Sequence, residues 1–267
     1  GPQGEPGPAY TAGENISISG SVIATKAFPC NPNLLDNWYF GNPVNQRGAS
    51  GTISRLGHFF DRWKLVSGSV TINSGGIVLN GTIAQVLEYA VGQTVTATVL
   101  TPDGVTDVTP VYDDETKTFT VTTQGKTIRA VKLELGTQQT LAHQENGVWG
   151  LNEIPDFGEQ LRRCQRYCFV WGYGAKQTSC LAVMQCVQPG VLFGLIPTPV
   201  TMRNNPVVTG GSLTTFAGNV TSLGNLITCA NGIRAVANIE GTSTSQGQAV
   251  GIENADDNGR VIFSADL

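Results

Sequence analysis

The sequence is short of charge. Lys, Arg, Asp and Glu make up 13% of its 267 residues, against roughly 25% in an average soluble protein. The net charge is −4, so composition offers no basic surface for nucleic acid or an anionic membrane. No run of 18 apolar residues exists, so no membrane-inserted helix is expected. The first residues lack the charged start and apolar stretch of a signal peptide. Histidine is nearly missing, with His58 and His143 alone. That disfavours His-rich metal sites and leaves little for a His-based triad. No G-x-S-x-G, P-loop, H-E-x-x-H or G-x-G-x-x-G run stands in a strand-to-helix context. No catalytic residue, metal or cofactor is therefore assigned.

Six cysteines are present, five of them beyond residue 160. None has C-x2-C spacing and none has a His nearby, which argues against zinc. Disulfide connectivity cannot be read from spacing. Buried free thiols acting as small apolar residues are the simpler expectation. Assembly in a reducing bacterial cytoplasm would make them natural.

Glycine is plentiful, at 33 residues. A weakly charged chain rich in Gly and Thr fits an all-β extracellular type. The 40% hydrophobic content still supplies apolar area for real cores.

Residues 1–9 read Gly1-Pro2-Gln3-Gly4-Glu5-Pro6-Gly7-Pro8-Ala9. Glycine on every third position is the collagen pattern, because only Gly fits at the axis of three wound chains. This segment is expected to continue upstream and to make the chain trimeric. Residues 10–30 read as a short β shaft or linker, with Ile16, Ile18, Val22 and Ile23 in alternating segments around Gly20. A lone hairpin of this size is unstable in water, but three copies could share an apolar seam.

Residues 31–154 carry strand-like runs at 69–72, 76–80, 93–100, 117–122 and 127–135. Turn signals lie between them at Ser74-Gly75-Gly76, Pro102-Asp103-Gly104 and Gln124-Gly125. This spacing predicts a jelly-roll or β-sandwich domain. Residues 155–169 switch to helical period. Phe157, Leu161, Cys164 and Cys168 form one stripe, with Arg162, Arg163 and Arg166 opposite, so the segment reads as a helical connector. Residues 170–267 return to strand-like runs and predict a second β-sandwich, a C-terminal tip. The fold class is thus all-β.

Two aromatic clusters, Trp38-Tyr39-Phe40 and Phe59-Phe60 with Trp63, are expected in the core. Trp149, in Asn146-Gly147-Val148-Trp149-Gly150, and Trp171 and Tyr173, in Trp171-Gly172-Tyr173-Gly174, sit in Gly-flanked positions. These three are the candidate ligand-binding residues. Asp113-Asp114-Glu115 and Asp256-Asp257-Asn258-Gly259 read as solvated turns. Glu134 and Glu153 are the carboxylates one would test for glycosidase chemistry, and nothing in their spacing supports that role.

The run Asn31-Pro-Asn-Leu-Leu-Asp-Asn-Trp-Tyr-Phe-Gly-Asn-Pro-Val-Asn-Gln-Arg-Gly48, with Asp61-Arg62-Trp63, resembles the opening of jelly-roll domains in phage and prophage tail fibres of gut bacteria. Those domains look like carbohydrate-binding modules. Ala130-Val-Lys-Leu-Glu-Leu-Gly136 and Leu161-Arg-Arg-Cys-Gln-Arg-Tyr167 are similar to the segment closing that domain. Pro197-Thr-Pro-Val-Thr-Met-Arg-Asn-Asn-Pro206 and Phe263-Ser-Ala-Asp-Leu267 resemble the C-terminal tip. The resemblance implies a non-enzymatic homotrimeric fibre end on the virion tail, assembled in the host cytoplasm. Its partners would be a bacterial surface polysaccharide or glycoconjugate, copies of itself, and other tail or baseplate proteins upstream. It carries over no binding residue. Three alternatives stay open. A structural spacer or assembly protein would show no exposed aromatic cluster on either β domain. A bacterial collagen-like adhesin would share the tip's chemistry. A glycan depolymerase needs two carboxylates about 5–9.5 Å apart in a groove.

Overall fold

The computed structural model describes residues 16–19, 22–25, 30–171, 180–241, 243–254 and 260–266. The collagen-like segment, Tyr173 and the Asp256–Gly259 turn lie outside them. Among the described residues strands dominate, with one helix of nine residues.

Strands β1 (Ile16–Ser19) and β2 (Val22–Thr25) pair as an antiparallel hairpin on their own. Val22 and Ile23 stand 62% and 65% exposed on it.

The next ten strands are β3 (Thr52–Ile53), β4 (Gly57–Phe60), β5 (Trp63–Asn73), β6 (Gly76–Val86), β7 (Val95–Leu100), β8 (Val111–Asp113), β9 (Thr118–Ile128), β10 (Ala130–Leu135), β11 (Ala142–Glu145) and β12 (Val148–Leu151). One antiparallel sheet runs β3-β5-β6-β9-β8, with β4 also on β5, while β7 pairs with β10 and β11 with β12. Alternation drives the large sheet. Trp63 and Leu65 of β5, and Phe119 and Val121 of β9, are buried, while their strand neighbours Lys64 and Thr122 are exposed. Outward threonines pair across strands, Thr52 with Thr71 and Thr82 with Thr122, each at 2.9 Å. The large sheet and the β7–β10 pair share one core, in which Val99, Val131 and Leu133 join Trp63, Ile83 and Val121. Both aromatic clusters lie there, with Trp63 edge-on to Phe40 at 5.2 Å and to Phe119 at 6.2 Å.

One expectation changes in this region. Gln124-Gly125 is not a turn between strands. Gly125 is the extra residue of a bulge inside β9, between the pairs Asn80–Gln124 and Leu79–Lys126. Its φ of +75° suits glycine. Strand β10 is buried through both faces from Ala130 to Glu134. Lys132 and Glu134 sit there as a closed pair at 3.7 Å. Lys132 Nζ donates to Thr140 Oγ1 at 2.8 Å, and Glu134 Oε1 accepts from Thr140 N at 2.7 Å. Glu134 therefore faces no groove. Glu153 instead accepts from Cys30 Sγ at 2.9 Å.

Helix α1 (Phe157–Gln165) starts where Asp156 accepts the Glu159 N–H at 2.7 Å. Its buried positions are Gln160 and Cys164, while Phe157 is exposed. The expected stripe is turned because Gln160 Oε1 accepts the buried Asn37 N–H at 2.7 Å. A polar neighbour claims the face that periodicity assigned to Phe157 and Leu161.

The remaining strands are β13 (Cys168–Trp171), β14 (Cys180–Gln188), β15 (Val191–Pro197), β16 (Val207–Thr209), β17 (Leu213–Thr215), β18 (Gly218–Cys229), β19 (Gly232–Ile239), β20 (Ala249–Asn254) and β21 (Val261–Ser264). The C-terminal region is not a sandwich. Six strands close into a barrel, β14-β15-β19-β18-β17-β20, beside a small sheet β13-β21-β16. Bulges supply the curvature. Register shifts occur twice in β18, at Val220/Ser222 and Gly224/Ile227, and twice in β14. Small Ala235 and Ala237 share the interior with Met184, Leu192, Ile196 and Ile252.

All six cysteines are free. Cys164, Cys168 and Cys186 are buried, whereas Cys30 and Cys180 are exposed and Cys229 is intermediate. Burial as small apolar groups thus accounts for three of the six.

Candidate functional site

Trp149 and Trp171 do not form one site. Trp149, on β12, is half-buried against the first core, with its indole packed over Gly104. Trp171, on β13, is half-buried against the barrel core. Both act as packing residues on separate domains, and Tyr173 is outside the described residues.

The structure instead gathers chemistry where the first domain meets α1 and the turn that follows it. An open cleft of about 470 Å³ is lined by Asp36, Arg62, Glu88, Tyr89, Arg163 and Tyr167, among others. Arg62 is central. It occupies the β4–β5 turn with φ +72°, a left-handed conformation rare for a long side chain. From there its Nε reaches Asp36 at 3.1 Å, and its Nη2 donates to Val86 O at 2.6 Å. The guanidinium lies 3.5 Å from the centroid of the Tyr167 ring. Asp36 also takes Arg163 Nε at 2.7 Å. Buried Gln85 fixes the Asp36 backbone from both sides, accepting its N–H and donating to its C=O.

Glu88 makes a two-pronged pair with Arg166, at 3.2 Å for each contact, and has Arg203 Nε at 3.5 Å. Burial pushes its carboxyl up, but hydrogen bonds from Arg166 and Tyr167 and the charges of Arg166 and Arg203 outweigh this. Glu88 is held below its ordinary range. Tyr167 is pushed up to about 12, chiefly by burial. The cleft therefore contains two carboxylates and two aromatic rings. Glu88 is committed to an arginine, and a glycosidase acid needs the opposite shift.

Tyr89 stands 77% exposed at the cleft edge. Its loop is tied down by Asp114, which accepts Val91 N–H at 2.5 Å and the Tyr112 hydroxyl at 2.8 Å. The acidic run expected to be merely solvated thus braces the exposed ring. Asp114→Ala is expected to weaken any ligand held by Tyr89 about threefold, the size of one net hydrogen bond. A titration of the variant against the parent checks this.

The opposite side of the junction is also polar. Arg47 Nη2 pairs with Asp266, and Gln46 Nε2 donates to Cys168 O at 2.8 Å. Asp61 accepts the Gln46 N–H at 2.7 Å, with Arg47 Nε at 3.9 Å. Burial raises Asp61 to about 6 despite the Gln46 bond and the Arg47 charge. His58, 3.8 Å from Asp266, is lowered, mainly by burial. Gly48, at φ +67°, leaves room for Arg260, whose guanidinium occupies the space a Cβ would fill.

The chain matches no family model, no curated protein and no solved structure.

The sequence held two signals for the cleft. Asp61-Arg62 is a two-residue gap between Phe60 and Trp63, the length of a tight hairpin turn. Arg166, at the end of the helix, has no acidic residue three or four positions before it, where Arg163 and Arg162 stand.

Proposed function

We propose that the chain is the receptor-binding end of a non-enzymatic, homotrimeric phage tail fibre that attaches the virion to a bacterial surface glycan. On this reading residues 31–154 form a jelly-roll binding module. The observation that carries it is the cleft: an exposed tyrosine ring beside arginine-paired carboxylates. A ring face suits the apolar side of a sugar, and fixed charged pairs suit its hydroxyls. The glycan contact is assigned to Tyr89, Glu88 and Arg166. The Gly-X-Y run supports trimerisation, and three weak sites on one body raise apparent affinity without new contacts.

The test is a titration of purified cell-surface polysaccharide against the full chain and the Tyr89→Ala variant. Truncating an aromatic anchor is expected to cost about tenfold in affinity. Equal binding by both proteins removes the cleft from the reading. Shortening of the polysaccharide during the titration would establish the depolymerase instead.

A further inference from the structure

The outer wall of the barrel carries apolar side chains where solvent-facing residues should be polar. On β15 the outward positions are Val191, Phe193 and Leu195, with Phe193 and Leu195 41% and 43% exposed. Register extends the surface sideways. Phe193 faces Gln185 of β14 on one side and Val236 of β19 on the other. Leu195 faces Arg234, and Arg234 faces Ile227 of β18. Val183 continues the wall on β14 at 65% exposure. The Gly224/Ile227 bulge opens a hollow of about 550 Å³ here, lined by Phe193, Leu226, Ile227 and Val236 together with Asn225 and Arg234. The barrel's interior is already filled by its own side chains, so the outer apolar set is not needed to fill it. Contiguous apolar surface around an arginine, here Arg234, is what the centre of a protein interface looks like.

Two features of the same chain indicate what covers it. The Gly-X-Y triplets at 1–9 are a pattern that only three wound chains require. The β1–β2 hairpin exposes Val22 and Ile23 and pairs with no other strand among the described residues, and such a hairpin is not stable alone. Both ask for further copies of this chain alongside.

We infer that the β14–β15–β19–β18 wall, centred on Phe193, packs against the barrel of a neighbouring copy around a threefold axis. Closed threefold packing joins two different patches of each subunit, so a hollow on one copy can receive a projecting side chain of the next. This placement rests on the trimeric reading above and adds the face that makes the contact.

The test uses the full chain in two measurements. Light scattering gives the mass of the unaltered protein, and Phe193→p-benzoylphenylalanine is then irradiated and run on a denaturing gel. Expected are a mass three times 28.2 kDa and covalent dimers and trimers from position 193. The same photoreactive group at Tyr89 is expected to give none. A trimer without crosslinks from position 193 overturns this face and leaves the trimeric reading intact. A monomer of 28.2 kDa overturns both. The Phe193→Asp variant gives an independent check. It is expected to lose the trimeric mass while keeping its β-type circular dichroism, and a folded Phe193→Asp trimer counts against the wall.

Discussion

Arg62→Ala is expected to lower the unfolding free energy by about 3 kcal/mol, because it takes one partner from a buried ion pair. Three contacts disappear together: the Asp36 pair, the hydrogen bond to Val86 O, and the stack on Tyr167. Asp36 keeps Arg163, which places the loss near the lower end of the range for broken buried pairs. Arg62→Lys is expected to recover little. An ammonium lacks the planar fork that meets a carboxylate, a carbonyl and a ring at once. Urea unfolding of the three proteins measures this, and a loss under about 1 kcal/mol for Arg62→Ala would mean that the contacts are surface-like. On the proposed glycan-binding reading, the same variant should weaken polysaccharide binding, since Arg62 holds Tyr167 against the cleft wall.

The second large effect is a pH dependence at Asp61. Its folded value is about 6, against an ordinary 3.8. The folded state therefore holds a proton that the unfolded state has released between these values. Unfolding free energy then falls as pH rises through that window. The full difference is about 3 kcal/mol, from roughly two pH units at 1.36 kcal/mol each. The stabilising contribution is complete below pH 3.8 and gone above about 6. His58 acts in the opposite sense. Its lowered value means that stability rises with pH up to 6.5. Asp61→Asn isolates the carboxyl. Plotted against pH, the stability of the variant minus that of the parent is expected to climb from pH 4 to pH 6.5 and then level off. A flat difference would show that Arg47 and the Gln46 N–H keep Asp61 ionised throughout.

The strands were legible where one face meets water. The Trp63–Leu65 and Phe119–Val121 alternations announce β5 and β9 directly. Strand β10 was legible as a strand but not as a doubly buried one, because Lys132 and Glu134 look like solvent-facing residues. Their pairing with each other and with Thr140, from a later loop, makes their burial tolerable. Closure of the barrel was invisible for a different reason. Inward and outward residues alternate in a sandwich and in a barrel alike, and the bulges that curl β18 leave no distinctive composition. The cleft was hidden by distance along the chain. Asp36, Arg62, Glu88 and Arg163 become neighbours only after the first domain folds and α1 packs on it, and each reads in isolation as an ordinary exposed charge. The aromatic residues in Gly-flanked segments drew attention to Trp149 and Trp171, whereas Tyr89 is preceded by an unremarkable Leu87-Glu88.

Strands β13 and β21 lie side by side, Cys168 opposite Ser264 and Trp171 opposite Val261. Between these strands the chain touches the same support again, where β16 pairs with β21 and Arg203 Nε lies 3.5 Å from Glu88. The barrel is thus plugged into its support like a cartridge. A different insert could replace it without disturbing Arg47, Asp61 or Asp266, if it supplied a three-residue edge strand to take the place of β16 on β21.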